Sequence, residues 1–434
     1  MERTILSRLL LWKNKADRQP LVLQGVRQCG KTYILKYFGE KYFDDMAYFN
    51  FEEDHALADI FENNFDIRRI LLELGLQRGR TVTSETLIIF DEIQVCDRAI
   101  TALKYFSENA PELPIVCAGS LLGVAVHQSS SFPVGKVEFL NMYPMSFGEF
   151  AAARGERTLS EFLAGLDGQS RIPAVAAAKA ERLMREYHFV GGMPAAVKKW
   201  CETENLEEVE AVQKGIIEGY ERDFVKHAPI ELFAKLSAIW RSIPKQLARE
   251  NKKFIFSQVK KSWRAKDLED ALEWLLGAGL VYKVTRIEKP AFPLSSYAED
   301  TAFKLYMCDI GLLRCLSGLP YEVLAHSFAI YSEFKGAMAE NFVLSEMLKA
   351  GLDRAYFWTS GNTAEVDFVI QEKQWIIPIE VKAAKNVKAR SLAEYRKKYA
   401  PPVSLKLSMM ETIRGDEILQ LPLYAIGAYR NMVL

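Results

Sequence analysis

The chain has 434 residues, 49% hydrophobic and 26% charged, which is close to globular composition and excludes a disordered, collagen-like or low-complexity chain. Its 56 Lys and Arg balance 56 Asp and Glu, so global charge announces neither a nucleic-acid nor a membrane partner. At about 100–200 residues per domain, the length calls for roughly two to four domains.

The N-terminal MERTILSRLLLWKNK has its apolar stretch broken by Arg8 and lacks a small-residue cleavage site. No window approaches about 20 uninterrupted apolar residues, so neither a signal peptide nor a membrane span is expected. The cysteines at 29, 96, 117, 201, 308 and 315 include no CxxC pair, which favours reduced thiols and a cytoplasmic setting over a disulfide framework or zinc site.

From Pro20 to Phe150 short apolar runs (LVLQ, AYFNF, TLIIFDE, PIVCAGS, VEFLNM) interleave with helical stretches, which predicts an α/β region with a parallel sheet. Residues 151–219 lose the strand signals; ERLMREYHFV, MPAAVKKW and NLEEVEAVQKGIIEGY read as helices divided by Gly191-Gly192, a small helical domain. Residues 220–320 run through helix, turn and helix to a hairpin, the order of a winged helix. From about residue 321 to the end, a long amphipathic stretch, three strand candidates, a basic helix and VSLKLSM give the order αβββαβ.

Gly25-Val26-Arg27-Gln28-Cys29-Gly30-Lys31-Thr32 matches GxxxxGK[ST] directly after the strand LVLQ and before a helix. In that setting, glycines let backbone N–H groups close around phosphate oxygens, Lys31 reaches the β and γ phosphates of ATP, and Thr32 offers a hydroxyl to Mg²⁺. Leu87-Ile88-Ile89-Phe90-Asp91-Glu92 is a buried-strand run ending in two carboxylates, with Asp91 placed for Mg²⁺ and Glu92 for polarising the attacking water. An acidic pair at a strand end is commonplace alone; coupled to the phosphate loop it points to hydrolysis. After PIVCAG, Ser120 stands where a polar sensor would face the γ-phosphate, and a helix N-cap fits that residue equally well.

The segments GVRQCGKT, IIFDEIQ, AGSLLG, YPMSFGEF, YHFVGGMP, KLYMCDIGLL and AEVDFVI with IPIEVKA resemble the AAA+ superfamily. More specifically, they resemble prokaryotic AAA-family ATPases that carry a C-terminal domain of unknown function with a restriction-endonuclease-like fold. The resemblance spans nearly the whole chain. It implies a P-loop NTPase core of the ASCE type over 1–150, a helical lid over 151–219, a winged-helix domain over 220–320 and the nuclease-like domain over 321–434. Such proteins typically carry Gly-Arg before the strand leading into P-x-S-F, where an arginine finger could act across a homo-oligomer; here the pair is Gly135-Lys136. A lysine supplies charge but no bidentate fork, which leaves weak trans-activation or another arginine, Arg222 in YERDF, itself more plainly a surface ion-pair residue.

Glu340 in the long helix, Asp367 in AEVDFVI and Glu380-x-Lys382 in the next strand follow the order of a PD-(D/E)xK nuclease. Period-two geometry puts Glu380 and Lys382 on one face of a strand, so Glu340, Asp367 and Glu380 are candidate metal ligands and Lys382 a partner for the attacking water. Ordinary half-exposed strand positions would account for the same residue types, although the apolar neighbours Val366, Phe368, Ile379 and Val381 argue for an inward face. Lys245, Arg249, Lys252, Lys253, Lys260, Lys261, Arg264 and Lys266 face one acid, Glu250, and Lys382, Lys385, Lys388, Arg390, Arg396, Lys397 and Lys398 repeat the pattern, either as solvated helix faces or as DNA-backbone contacts. Two functions follow: an ATP-driven enzyme acting on DNA, or a nucleotide switch whose C-terminal fold binds protein or nucleic acid without cutting. A small-molecule kinase is disfavoured, because no acceptor-pocket motif follows the phosphate loop.

Overall fold

The computed structural model describes residues 1–119, 133, 135–250, 252–320, 332–361, 364–383, 390–415 and 417–433. Two compact units emerge, one of residues 2–143 with 277–280, the other of Met1, residues 144–276 and residues 281–434.

The first unit is a five-stranded sheet in the order β2-β3-β4-β1-β5, built from β1 (Leu21–Gln24), β2 (Asp45–Asn50), β3 (Thr86–Asp91), β4 (Ile115–Gly119) and β5 (Glu138–Asn141). Every pairing is parallel. Residues Thr86–Asp91 and Ile115–Gly119 are buried throughout, as strands covered on both faces must be. Helices α1 (Ile5–Lys13), α2 (Lys31–Tyr42), α3 (Ile67–Arg78) and α4 (Asp97–Asn109) alternate with them. Helix α3 shows why such segments start and stop where they do: Asp66 caps its first N–H groups and Gly79, at φ 68°, takes the left-handed conformation that ends it. Phe49, Phe51, Phe61 and Phe106 pack around Phe90, so the residue before Asp91 is clamped on several sides.

In the second unit, the elements described between β5 and residue 280 are all helical: α5 (Phe147–Ala153), α6 (Arg157–Ala164), α7 (Ala174–Val190), α8 (Pro194–Thr203), α9 (Leu206–His227), α10 (Ile230–Leu247), α11 (Phe256–Val259) and α12 (Ala265–Gly277). An antiparallel hairpin, β6 (Val281–Ile287) and β7 (Ala298–Met307), follows, then α13 (Ile310–Ser317). Next come α14 (Ser332–Lys349), β8 (Ala355–Ser360), β9 (Ala364–Glu372), β10 (Trp375–Val381), α15 (Arg390–Tyr399) and β11 (Ser404–Ser408), the αβββαβ order, closed by β12 (Ile413–Arg414) and β13 (Ile418–Pro422). The hairpin expected as the wing of a middle domain does more than close on itself. Thr285, Arg286 and Ile287 pair in parallel with Tyr356, Phe357 and Trp358, so β6 and β7 extend the C-terminal sheet to eight strands, β12-β13-β11-β10-β9-β8-β6-β7. The division expected at residue 320 therefore marks no break in the sheet.

Three segments singled out in the sequence meet in one buried polar knot within this unit. In YPMSFGEF, Ser146 and Glu149 form a reciprocal capping box at the start of α5. The Met145 carbonyl accepts from Tyr187 Oη at 2.6 Å and Lys349 Nζ at 3.1 Å, while its N–H donates to the Gly192 carbonyl at 2.6 Å. From KLYMCDIGLL, Asp309 accepts the Gly192 N–H at 2.6 Å and the Leu312 N–H at 3.0 Å. Any Cβ at Gly191 would sit 2.2 Å from Asp309 Oδ1 and one at Gly192 2.1 Å from the Met145 carbonyl oxygen, so both positions require glycine.

Candidate functional site

Strand β1 hands over to α2 through residues 25–30, and the loop is held from behind. A side chain on Gly25 would come within 2.1 Å of the Met142 carbonyl oxygen, and Gly30 sits at φ 99°. Buried Arg3 donates to the Cys29 carbonyl at 2.8 Å and the Tyr143 carbonyl at 2.6 Å, tying the loop to the residues after β5. No sequence motif marks Arg3. Lys31 Nζ donates to the carbonyls of Gly25 at 2.7 Å and Val26 at 3.0 Å, folding the ammonium back over its own loop.

Strand β4 lies between β1 and β3, which brings the C-terminal end of β3 beside the start of α2. Thr32 Oγ1 donates to Asp91 Oδ2 at 2.7 Å, Tyr48 Oη donates to the same oxygen at 2.8 Å, and the Glu92 N–H donates to Asp91 Oδ1 at 3.1 Å. The hydroxyl and carboxylate oxygens of Thr32 and Asp91 thus converge as a hard cation requires, and they fit Mg²⁺. Burial and the adjacent Asp91 carboxylate push the Tyr48 phenol above its ordinary range, so it stays a donor. Glu92 adopts φ 50°, ψ 40°, sparsely populated for a side chain of its size, and Gln94 Nε2 donates to its Oε2 at 2.5 Å. Tyr48 and Gln94 carried no signal in the sequence, since a tyrosine in a strand and a glutamine after an acid pair are ordinary residues.

In the second unit, Glu340, Asp367, Glu380 and Lys382 come together at the junction of α14, β9 and β10. Glu340 is buried, and its two oxygens are taken: Oε1 by the Lys252 ammonium, Oε2 by Tyr306 Oη at 2.8 Å and more distantly by Lys304 Nζ at 3.8 Å. Fully buried Lys304 pairs with Glu365 Oε1 at 2.5 Å, and Lys382 Nζ lies 2.5 Å from Glu380 Oε1. Asp367 Oδ2 accepts the Val381 N–H at 2.7 Å.

Burial opposes the charge on Glu340, yet the Lys252 and Lys304 ammonium groups hold its carboxyl below the ordinary range. Burial and then the Glu340 and Glu380 carboxylates hold Asp367 well above it. Among the described residues no three His, Cys, Asp or Glu side chains are disposed to hold a metal ion. Of the carboxylates expected to share a divalent cation, Glu340 and Glu380 are engaged by lysines and Asp367 by the Val381 N–H, and as placed they do not fit one. Lys252, expected among DNA-facing residues, is turned inward onto Glu340. Lys304 and Tyr306 escaped sequence reading because the alternation of AFKLYM is that of any strand.

A family model of the AAA domain matches residues 17–151. The chain carries an AAA-type ATPase domain. Models of two domains of unknown function, DUF8612 and DUF4143, match residues 181–322 and 335–424, the first crossing the boundary expected at 219. An uncharacterized protein of Methanocaldococcus jannaschii is 23% identical over 388 residues, 87% of this chain and 78% of that protein. Among solved structures, a Walker-type ATPase of Pyrococcus abyssi is 16% identical at a TM-score of 0.47, covering 73% of this chain and 95% of its own. The Aeropyrum pernix Orc1 protein in complex with DNA is 12% identical at 0.29 (73% and 92%), and the Thermotoga maritima RuvB branch-migration motor 14% at 0.31 (64% and 86%). All three TM-scores are below 0.5, so these likenesses bear on neither fold nor function.

The remaining expected residues fall elsewhere. Ser120 lies outside the described residues, as do Lys385 and Lys388. Lys136 pairs with Glu108 at 3.0 Å, and Arg222 is exposed with Glu218 at 3.8 Å, one helical turn away. Lys260, Lys261, Arg264 and Lys266 are exposed, with Lys260 Nζ 4.7 Å from the Trp263 ring centroid. Among the described residues no helix is long and apolar enough to cross a membrane.

Proposed function

We propose that the protein hydrolyses ATP at the phosphate loop and couples that cycle to DNA. The convergence of Thr32 Oγ1 on Asp91 Oδ2 at 2.7 Å, with Glu92 next in the chain, carries the reading. Lys31 exchanges the two loop carbonyls for phosphate oxygens, Thr32 and Asp91 hold Mg²⁺, and Glu92, kept in place by Gln94, takes the proton of the attacking water. Bound Mg²⁺ would supply neutralisation of the phosphate charge. Glu92→Gln should retain nucleotide and slow turnover by about 10²-fold or more, because it removes the base and leaves the Mg²⁺ ligands. Loss of nucleotide affinity in that variant would exchange the roles of Asp91 and Glu92.

Exposed Lys260, Lys261, Arg264 and Lys266 support DNA as the partner, through phosphate contacts. In Lys260→Gln/Lys261→Gln the slope of log affinity against log salt should shrink by about two, uniformly across sequences. A wild-type titration with no salt slope would remove DNA. The αβββαβ order supports a restriction-endonuclease-like reading of the C-terminal region, and the lysine contacts of Glu340, Glu365 and Glu380 favour a module that binds without cutting in this arrangement.

A further inference from the structure

We infer that Tyr48 sets the metal preference of the nucleotide site: by filling Asp91 Oδ2 it keeps that oxygen out of a cation's coordination shell, which favours Mg²⁺ over a larger ion such as Ca²⁺. The inference rests on the ATPase reading above and deepens it.

The hydrogen-bond inventory of Asp91 is the first support. An ionised carboxylate only accepts, and it offers about four lone-pair positions, shared between its two oxygens. Thr32 Oγ1 at 2.7 Å and Tyr48 Oη at 2.8 Å both donate to Oδ2 and use both of its positions, while the Glu92 N–H at 3.1 Å uses one on Oδ1. Asp91 is buried, so its remaining acceptor capacity is set by these neighbours. Thr32 spends its one O–H on the carboxylate and keeps its oxygen lone pairs for a cation. Between them the two residues present the Thr32 hydroxyl oxygen and a single position on Asp91 Oδ1. A carboxylate so placed has no second oxygen with which to chelate.

Tyr48 is itself held in this role from two sides, which is the second support. Strand β2 pairs with β3 so that Asn50 lies opposite Asp91 and Tyr48 opposite Ile89, and the period of two puts Tyr48 and Asn50 on one face. Asn50 Nδ2 donates to Tyr48 Oη at 3.4 Å, which leaves the phenolic O–H to point at Asp91. Asn50 is fixed in turn, its Oδ1 accepting the N–H groups of Glu52 at 2.9 Å and Glu53 at 3.3 Å. Across the ring, Lys36 Nζ lies 3.8 Å from the Tyr48 centroid, and Lys36 follows Thr32 by one turn of α2. The helix that carries Thr32 therefore also clamps Tyr48.

The chemistry of the two ions turns this arrangement into a preference. Mg²⁺ is small, demands a near-octahedral shell and gives up water reluctantly, so a hydroxyl and one carboxylate position, with water and phosphate completing the shell, suit it. Ca²⁺ accepts more oxygens at longer range and takes carboxylates in bidentate fashion. Removing the phenolic oxygen would free a position on Oδ2 beside the one on Oδ1, which is what the larger ion uses and the smaller one does not need.

The test is equilibrium binding of a non-hydrolysable, fluorescent ATP analogue to the full chain in Mg²⁺, in Ca²⁺ and in a chelator without either. Tyr48→Phe keeps the ring and its Lys36 contact and removes the oxygen alone. The ratio of Ca²⁺-supported to Mg²⁺-supported affinity should rise about 10-fold, the lower end of the scale on which groups around metal ligands tune affinity. Metal-free affinity should stay unchanged, a readout that a merely structural role would lower. Tyr48→Leu, which removes oxygen and ring together, should raise the ratio as well, so the outcome does not hang on the folding of one variant. Adding Asp91→Asn to Tyr48→Phe should abolish the gain, because a neutral amide cannot chelate as a carboxylate does. An unchanged ratio in the folded variants, or an equal loss in both metals, overturns the role of Tyr48 and leaves the phosphate loop standing. Nucleotide binding by the wild-type chain that is indifferent to either metal overturns the Mg²⁺-dependent ATPase reading together with this inference.

Discussion

The phosphate loop and the C-terminal cluster use the same residue types to opposite ends. At the loop, Lys31 leans on two carbonyls, and Asp91 is satisfied by two hydroxyls and an N–H. These partners are neutral, so the formal charges of Lys31 and Asp91 remain available to an incoming phosphate and cation. In the cluster, Glu340, Glu365 and Glu380 each contact an ammonium group, so their charge is consumed within the fold. Buried charge held by neutral donors is preorganised for a ligand, whereas buried charge held by counter-charge is committed to structure unless a counter-ion leaves.

Two lysine substitutions break this comparison most directly. Lys304→Met leaves Glu340 and Glu365 short of a counter-ion and should cost about 2–3 kcal/mol of stability, below the figure for a fully buried pair because Glu365 keeps 30% of its side chain exposed. Turnover of ATP per folded molecule should be unchanged. Lys31→Met should do the reverse: turnover falls about 10²–10³-fold, while stability falls by about 1 kcal/mol, the net worth of a typical hydrogen bond. Denaturation midpoints and steady-state ATPase rates on both variants check the pair. If Lys304→Met abolished turnover in fully folded protein, or Lys31→Met unfolded the chain, the two sites would not differ as described.

How legible each site was in the sequence follows from the same contrast. The phosphate loop is contiguous, its glycines answer to a local backbone demand, and Asp91 closes an apolar run, so residues 25–32 and 91–92 could be read directly. Glu340, Asp367, Glu380 and Lys382 could be listed as a pattern, because their spacing follows helix and strand periods. Their counter-ions could not. Lys252 and Lys304 reach Glu340 across 88 and 36 residues of chain, a juxtaposition set by β6 pairing with β8. That pairing is also why a hairpin read as a wing joins another sheet: local alternation specifies a strand and leaves its neighbour open. Tyr48 and Gln94 each reach a residue the sequence had singled out through one hydrogen bond and Arg3 reaches two such residues, and isolated contacts of this kind carry no periodic signature.

One buried titratable group has no counter-ion among the described residues. His188, on α7, packs its ring 5.6 Å from Phe342, and its Nε2 has no hydrogen-bond partner among the described residues. Burial, with Lys335 nearby adding repulsion, depresses its imidazole to about 4. The folded group therefore stays neutral where the unfolded one, near 6.5, begins to take a proton. Below about pH 6.5 the unfolded chain binds the extra proton, so stability is full above that value and declines until the folded group protonates near 4. At 1.36 kcal/mol per unit the decline from this residue reaches about 3 kcal/mol. His188→Leu, similar in volume and without the stranded nitrogen, should flatten the fall in denaturation midpoint between pH 6.5 and 4 while leaving the midpoint at pH 8 nearly unchanged. An equally steep acid limb in the variant would place the loss elsewhere, first at Glu340, whose carboxyl the Lys252 and Lys304 ammonium groups hold below the ordinary range against its burial.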